Sequence, residues 1–369
     1  MGFHFDLNKR VRNLSFVFLI IIVMLSITPI VLAKTRESYL VDFIYKYQHK
    51  DQSFGVNSQE TANAIEIIAY YNAFSGTKSV DILKLKNYLK NEINQMFSSE
   101  TIDIYTIKYN LEALNVLEPL STALNSSLHN RIYRYINETY QIGGGFSPTN
   151  ESGHANMVST YYIYNIYSLL NEPVKNKTTH LNWISSCYNS DGGYGGNQTL
   201  PSTLTTTNFA VYLTTELGTI GNLVNTTATL DYFKSLYIGD SNNLDNYGGY
   251  LPDLFSEVTL LGSTLLCIEG IKIIDINELN KDATSNWVLK HQNFLDGGFG
   301  DSIEGTDQRF SSIGTTYSAF KILQSLGLLN LLNEDIFMVE FNYIILFILL
   351  SVIGAIVLIA YIIQRRRRI

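Results

Sequence analysis

Cysteine is nearly absent from this sequence, since Cys187 and Cys267 are the only two in 369 residues. Two cysteines cannot form a disulfide framework, and their spacing matches no cysteine-based zinc motif. We expect two buried free thiols, with a single disulfide between them as the alternative.

Charged residues are also scarce, at 16% of the chain against about a quarter in an average domain. The net charge of -7 argues against a nucleic-acid partner, which needs a basic surface. Asn, Thr, Ser and Tyr take the place of the missing charges, so we expect a polar but largely uncharged surface.

The N-terminus has the pattern of a secretory signal peptide. Lys9, Arg10 and Arg12 precede an apolar run over residues 16–32, and the residues up to Ala33 suit a cleavage site. We predict a signal peptide over residues 1–33, cleaved after Ala33. An uncleaved signal anchor is the alternative.

The C-terminal end is apolar for twenty residues from Ile344 to Ile363, and the basic residues 365–368 follow. Twenty helical residues span a bilayer, and a basic flank stays on the cytoplasmic side. We predict a transmembrane helix over 341–364 and a cytoplasmic tail over 365–369. Residues 34–335 then form an extracytoplasmic domain of a single-pass protein of the cell membrane.

Six glycosylation sequons agree with an outside location, although a chain rich in Asn, Ser and Thr produces some by chance. The candidate acceptors are Asn125, Asn137, Asn150, Asn176, Asn197 and Asn225.

A Gly-Gly-aromatic loop recurs along the central region. Four copies begin at Gly144, Gly192, Gly248 and Gly297, with spacings of 48, 56 and 49 residues. A weaker copy is residues 53–55, two periods earlier, and the copy between them lacks the glycines. There, segments 83–95 and 104–117 still have the pattern of two amphipathic helices. We therefore expect six helical-hairpin units, the second degenerate.

Each unit has one internal order. A first helix ends in a polar step, the glycine turn follows, and a second helix begins in a Thr/Ser cluster such as 205–207 or 315–316. Such clusters suit helix N-termini, and Gly218, Gly270 and Gly327 suit helix C-termini. Paired glycines permit positive φ and close approach to a neighbouring helix, and the aromatic residue can fill the seam between helices.

The repeats at residues 191–196 and 296–300, with Thr315-Thr316-Tyr317-Ser318-Ala319 after the last, resemble those of protein prenyltransferase β-subunits and of squalene and terpene cyclases. The resemblance runs from about residue 39 to 329. It implies an all-α, (α/α)6 toroid in which six inner helices are ringed by six outer ones around a funnel-like apolar cavity.

The catalytic motifs of those enzymes are not found. In the prenyltransferases a zinc-binding Asp-x-Cys pair opens an inner helix of a late repeat, and the matching segment here, residues 255–259, has no such pair. Cys267 lies about two helical turns too late to replace its cysteine. Gly314 lies where the zinc-binding histidine would be. Residues 141–327 hold 17 acidic and 8 basic residues, which disfavours a diphosphate site. The cyclase Asp-x-Asp-Asp and the thioester Cys-Gly-Glu-Gln are also missing. We therefore expect no zinc and no other cofactor.

Five polar residues remain as weak catalytic candidates. Glu151 and His154 follow the third turn, where a histidine beside a carboxylate can act as a general base. Glu257 is expected in the first turn of an inner helix, facing the cavity or serving the helix dipole. Asp191 and Asp296 precede glycine turns and either brace those turns or place carboxylates at the cavity mouth.

The candidate ligand-binding residues are equally weak. Asp301, Glu304 and Asp307 form an acidic loop that could bind calcium, although their spacing matches no known calcium loop. Tyr194, Tyr250 and Phe299 are the aromatic residues of three turns and either fill seams or contact a ligand.

We expect a cell-surface binding module for a lipid, glycan or protein ligand. One alternative is a diverged enzyme acting on an isoprenoid or a polysaccharide, and another is a structural component of the cell envelope. Fold alone does not decide among them.

Overall fold

The computed structural model describes residues 30–99, 102–293, 295–302 and 309–340, with Ser351 and Gly354. It divides into a helical unit over residues 36–334 and a second unit that includes residues 30–35 and 335–340. The signal peptide up to residue 29 and most of the predicted transmembrane helix lie outside the described residues. Within the described residues, no helix has the length and apolarity needed to cross a membrane.

Among the described residues of the helical unit, twelve α-helices of nine to fifteen residues alternate between an outer and an inner ring. The outer helices are α1 (Arg36–Tyr45), α3 (Ile82–Met96), α5 (Ser126–Glu138), α7 (Lys177–Ser186), α9 (Thr226–Lys234) and α11 (Lys281–Lys290). The inner helices are α2 (Ser58–Tyr70), α4 (Ile104–Leu117), α6 (Met157–Leu169), α8 (Leu204–Leu217), α10 (Leu261–Asp275) and α12 (Ile313–Leu326). A one-turn helix, Leu120–Ala123, and the 3₁₀ turns Ile220–Asn222, Ile276–Glu278 and Leu329–Asn333 connect them.

The inner helices form a closed ring. Each packs against the next in chain order, and α12 packs against α2. The predicted six-unit toroid is therefore confirmed, including the degenerate second unit, whose helices are α3 and α4. The core lies between the two rings, where the eighth residues of five inner helices are buried: Ile65, Leu111, Val211, Ile268 and Phe320.

In units three to six, the glycine turn joins the outer helix to the inner helix and packs against the outer helix of the next unit in the ring. Gly297 has a φ of +91°, and a Cβ there would lie 2.7 Å from the carbonyl oxygen of Tyr39 on α1. The last turn thus closes on the first helix. In five units the backbone N–H of the residue in the aromatic position donates to a threonine hydroxyl, at the fourth position of the inner helix; the acceptors are Thr61, Thr160, Thr207, Thr264 and Thr316.

The predicted bounds of α10 are wrong at both ends. The helix begins at Leu261, so Glu257 is an exposed loop residue before it. Gly270, expected to end the helix, lies inside it, where a side chain would overlap the ring of Phe233. Gly218 and Gly327 are C-cap residues as predicted.

Two short strand pairs depart from a purely helical fold. In the helical unit, β2 (Gly300–Ser302) pairs antiparallel with β3 (Arg309–Ser311). In the other unit, β1 (Ile30–Thr35) pairs antiparallel with β4 (Asp335–Glu340). The predicted cleavage site after Ala33 lies within β1.

Candidate functional site

The rim candidates Glu151 and His154 are both exposed, in the loop before α6. No hydrogen bond or ion pair joins them in the described part of the chain. His154 lines a surface cleft of about 680 Å³ together with Trp183 and Asn197. The pair is therefore not arranged as a general base with its carboxylate.

Asp191 and Asp296 brace their turns. The Asp191 carboxylate accepts hydrogen bonds from the Gly193 N–H (3.0 Å) and the Ser202 hydroxyl (2.8 Å). The Asp296 carboxylate accepts from the Gly298 N–H at 2.9 Å. Both carboxylates therefore stabilise their turns.

The aromatic turn residues are buried in the seams. Tyr194, Tyr250 and Phe299 are at most 2% exposed, so they present no surface to a ligand. Of the two expected roles, these residues fill the seams between helices and do not contact a ligand.

Asp301 caps a helix of the preceding unit. Its carboxylate accepts a hydrogen bond of 2.7 Å from the N–H of Leu261, the first residue of α10. Burial raises the pKa of Asp301, and the hydrogen bond opposes that effect. Glu304 and Asp307 lie outside the described residues. Within the described ranges no three His, Cys, Asp or Glu side chains come together as a metal site.

Cys187 and Cys267 are buried and not joined by a disulfide. Burial raises the pKa of Cys187 to about 12 and that of Cys267 well above its ordinary value. Both thiols are therefore protonated near neutral pH and are poor nucleophiles.

The sequon asparagines differ in accessibility. Asn125 and Asn225 are exposed, and their side-chain oxygens cap α5 and α9. Asn150 and Asn176 are also exposed, and Asn197 is half-buried. Asn137 is poorly placed for a glycan, because its amide donates to the Tyr133 carbonyl and accepts from the Tyr167 hydroxyl.

A layer of polar side chains lies inside the inner ring, in the space we call the lumen. It is formed by the ninth residue of each inner helix, in ring order Glu66, Glu112, Asn165, Tyr212, Glu269 and Lys321. One turn earlier, the fifth residues include Lys108, Tyr161 and Tyr317. Residues four apart share a helix face, so both layers face the same space.

Glu66 joins the last inner helix to the first. Its carboxylate accepts a hydrogen bond from the Tyr317 hydroxyl (2.6 Å) and forms an ion pair with the Lys321 ammonium (2.9 Å). The Lys321 side chain is 23% exposed and that of Glu66 is 35% exposed. This contact therefore closes the ring and still reaches water.

Lys108 and Glu112 form the second lumen pair. The Lys108 ammonium lies 2.8 Å from the Glu112 carboxylate and 3.8 Å from the centre of the Tyr109 ring. Burial lowers the pKa of Lys108, and the negative charges of Glu112, Glu66 and Glu269 oppose that shift. Since α4 and α10 are not neighbours in the ring, the influence of Glu269 on Lys108 acts across the lumen.

The lumen side chains are partly accessible to solvent. Burial raises the pKa of Glu112, with the positive charge of Lys108 opposing the shift, yet the Glu112 side chain remains 35% exposed. The Glu112 carboxylate is therefore crowded by protein but still accessible to solvent.

Glu269 differs from the other lumen carboxylates because it has no hydrogen bond or ion pair with any residue of the described ranges. Burial raises its pKa, and the more distant charges of Lys321 and Lys272 oppose the shift. Its oxygens are available to a ligand.

Tyrosines form much of the remaining wall. Tyr161 stacks on Phe209 with ring centroids 3.8 Å apart and planes 2° from parallel. The Tyr212 hydroxyl donates to the Asn165 amide oxygen at 3.3 Å. Burial raises the pKa values of Tyr161 and Tyr212, so both phenols stay protonated and can donate hydrogen bonds.

This layer was not predicted from the sequence. The family resemblance implied an apolar cavity, whereas the described lumen residues include three carboxylates and two ammonium groups. The available signal was a charged residue inside an apolar stretch of an inner helix, such as Glu269 within residues 265–271 of α10 and Lys321 in α12. An amphipathic helix with one apolar stripe does not reveal whether its polar face meets solvent or a lumen.

A sequence model of the prenyltransferase alpha-alpha toroid domain matches the chain over residues 6–155 and again over 149–342. The chain belongs to this family. Among solved structures, the toroid is similar to Candida albicans protein geranylgeranyltransferase-I complexed with GGPP, at 18% identity and a TM-score of 0.53 over 80% of this chain and 84% of that one. It is also similar to the type II terpene cyclase MstE from Scytonema, at 12% identity and a TM-score of 0.54 over 79% and 96% of the two chains.

At such identities the likeness shows a common fold and does not establish a common activity. No curated protein matches the sequence. In the toroid described here α10 opens with Leu261-Gly262-Ser263, which also lacks an Asp-x-Cys pair.

Proposed function

We propose that the protein binds a glycan, or a similarly hydroxylated ligand, in the lumen of its toroid at the outer surface of the cell membrane. The observation that carries the proposal is the ninth-residue layer, where carboxylates, an amide, a phenol and an ammonium surround a water-accessible space. These groups hydrogen-bond hydroxyls, and tyrosine faces pack against sugar rings.

The same layer disfavours an isoprenoid diphosphate. Lys108 and Lys321 are each paired with a glutamate already. Glu269 adds a third carboxylate, so a diphosphate would enter a net negative space. A hydrocarbon chain filling the lumen would also bury carboxylates without replacing their hydrogen bonds to water.

The test uses the full chain in lipid nanodiscs and isothermal titration calorimetry against a panel of neutral oligosaccharides and geranylgeranyl diphosphate. We expect an oligosaccharide to bind and the Glu269→Gln variant to bind it about tenfold or more weakly, because a hydrogen bond to a charged group contributes about 1.5–3 kcal/mol. The matched control, Glu151→Gln on the rim, should bind as the wild type does. Binding of the diphosphate without any oligosaccharide would refute the proposal.

One observation favours an enzyme as the second candidate. Burial raises the pKa values of both Glu112 and Glu269, and a carboxyl group that keeps its proton closer to neutrality can act as a general acid. Mass spectrometry of oligosaccharides incubated with the protein separates the two functions. Cleavage by the wild type that is lost in Glu269→Gln supports hydrolysis, and intact oligosaccharides support binding alone.

A further inference from the structure

The mouth of the lumen at the turn face is asymmetric. The second residue of each inner helix borders it: Gln59, Tyr105, Val158, Thr205, Gly262 and Gly314 in ring order. On the side of α2 and α4 the Tyr105 hydroxyl donates a hydrogen bond to the Gln59 amide oxygen, which bridges the two helices. On the side of α10 and α12, both residues are glycine.

The fold does not require these two glycines. A Cβ on Gly262 would meet nothing within 4 Å, and one on Gly314 only the Ser312 hydroxyl at 3.6 Å. Neither glycine has a positive φ. A glycine within a helix costs about 0.5–1 kcal/mol relative to alanine. Their effect is to leave the mouth open between α10 and α12.

The opening leads to the lumen site. Gly262 is seven residues before Glu269, and Gly314 is seven residues before Lys321. Seven residues are two helical turns, so each glycine lies above its charged residue on one helix face.

The outer edge of this opening is apolar. Phe310 is 71% exposed. It pairs with Asp301, whose carboxylate caps α10 at Leu261, so Phe310 lies at the start of α10 and two residues before the Ser312 cap of α12. Leu254 and Phe255, in the loop that leads into α10, are 66% and 96% exposed. Single exposed apolar residues are ordinary, but Phe310 lies at the first turn of α10, the turn that contains Gly262, where an apolar group leaving the lumen would meet it.

Resting on the proposed function, we propose that the ligand is an amphiphile, a saccharide joined to a hydrocarbon chain. Its hydroxylated head lies between Glu269 and Lys321, and its chain leaves the lumen over Gly262 and Gly314 to rest on Phe310. A single amphiphilic ligand would then contact both the polar lumen and the apolar edge.

The first test compares a saccharide that binds the protein with its butyl and hexyl glycosides, with empty nanodiscs correcting for partition into lipid. Each fully buried methylene strengthens binding by a factor of about four, so we expect the hexyl glycoside to bind at least about tenfold more tightly. Phe310→Ser should reduce this gain and leave the affinity of the free saccharide unchanged. Equal affinities for free and alkylated saccharide in the wild type would overturn the inference.

Side chains of different size at position 262 test whether the opening is the route of the hydrocarbon chain. Gly262→Leu should weaken binding of the hexyl glycoside at least about tenfold by filling the opening with a side chain. Gly262→Ala is the matched control that keeps the helix and most of the space. Equal hexyl-glycoside affinities for Gly262→Leu and wild type would contradict the route.

A labelling experiment separates this inference from the proposed function. In Gly262→Cys the new thiol should react rapidly with a maleimide, while Cys187 and Cys267, at 1% and 0% exposure, should not. Hexyl glycoside should slow the labelling. An unreactive thiol would refute the open mouth even if saccharides bind. If no saccharide binds, the proposed function fails, and protection by a hexyl amphiphile with another polar head would still support the apolar edge.

Discussion

The ring closure at Gly297 gives a quantitative prediction for Gly297→Ala. An alanine there takes a φ of +91°, a strain of about 1–3 kcal/mol for a residue with a side chain. Its Cβ would also lie 2.7 Å from the Tyr39 carbonyl oxygen, so α1 must move. Together we expect a loss of about 3 kcal/mol in the free energy of unfolding.

The matched control is Gly262→Ala, the same chemical change in a helix with open space around it. It should raise stability by about 0.5–1 kcal/mol. With an unfolding entropy of about 2.1 cal/mol/K per residue over roughly 300 residues, Gly297→Ala should lower the Tm by about 5 °C and Gly262→Ala should raise it by about 1 °C.

Differential scanning calorimetry of both variants and the wild type measures these shifts. Opposite signs support a closed ring in which the last turn packs on the first helix. A Gly297→Ala variant as stable as the wild type would refute the packing of this turn on α1.

Three further predictions concern the lumen and the thiols. Burial raises the pKa of Glu269 above its value in the unfolded chain, so stability should fall as the pH rises from the unfolded pKa through the folded pKa. Glu269→Gln should therefore be more stable than the wild type at pH 8. Denaturant titrations at pH 5 and 8 that show the same pH dependence for both proteins would contradict this. Glu66→Ala removes the carboxylate that accepts from Tyr317 and pairs with Lys321, so the free energy of unfolding should fall by about 2 kcal/mol and amide exchange in α2 and α12 should become faster. Unchanged exchange in these two helices would argue against closure of the ring through Glu66. Cys187, with a pKa of about 12, and buried Cys267 should react with a thiol reagent at pH 8 only after unfolding, whereas labelling of the native protein would show that the seams are open.

The turns could be predicted from the sequence because their geometry is local. A positive φ such as that of Gly297 favours glycine whatever surrounds it, and its recurrence gives the unit length. The degenerate second unit was found because α3 and α4 keep helical periodicity without the turn glycines.

The start of α10 could not be predicted locally. Its cap residue, Leu260, offers no side-chain hydrogen bond, and the cap comes from Asp301 in the following unit. Gly270 likewise ends no helix because a ring from α9 occupies the space beside it. Both errors arise from contacts between units, which one unit's sequence does not show.

The lumen layer depends on closure of the whole ring. Lys108 and Glu112 are four residues apart on one helix and have the pattern of a surface ion pair. Only the packing of α12 against α2 places them opposite Glu269.

The most direct test of the central claim, that the lumen holds the ligand, is hydrogen exchange with and without a bound saccharide. We predict protection in residues 261–270 and 313–322, which line the lumen from its mouth to Glu269 and Lys321. Protection confined to residues 141–144 and 197–199, at the rim cleft beside His154, would contradict it.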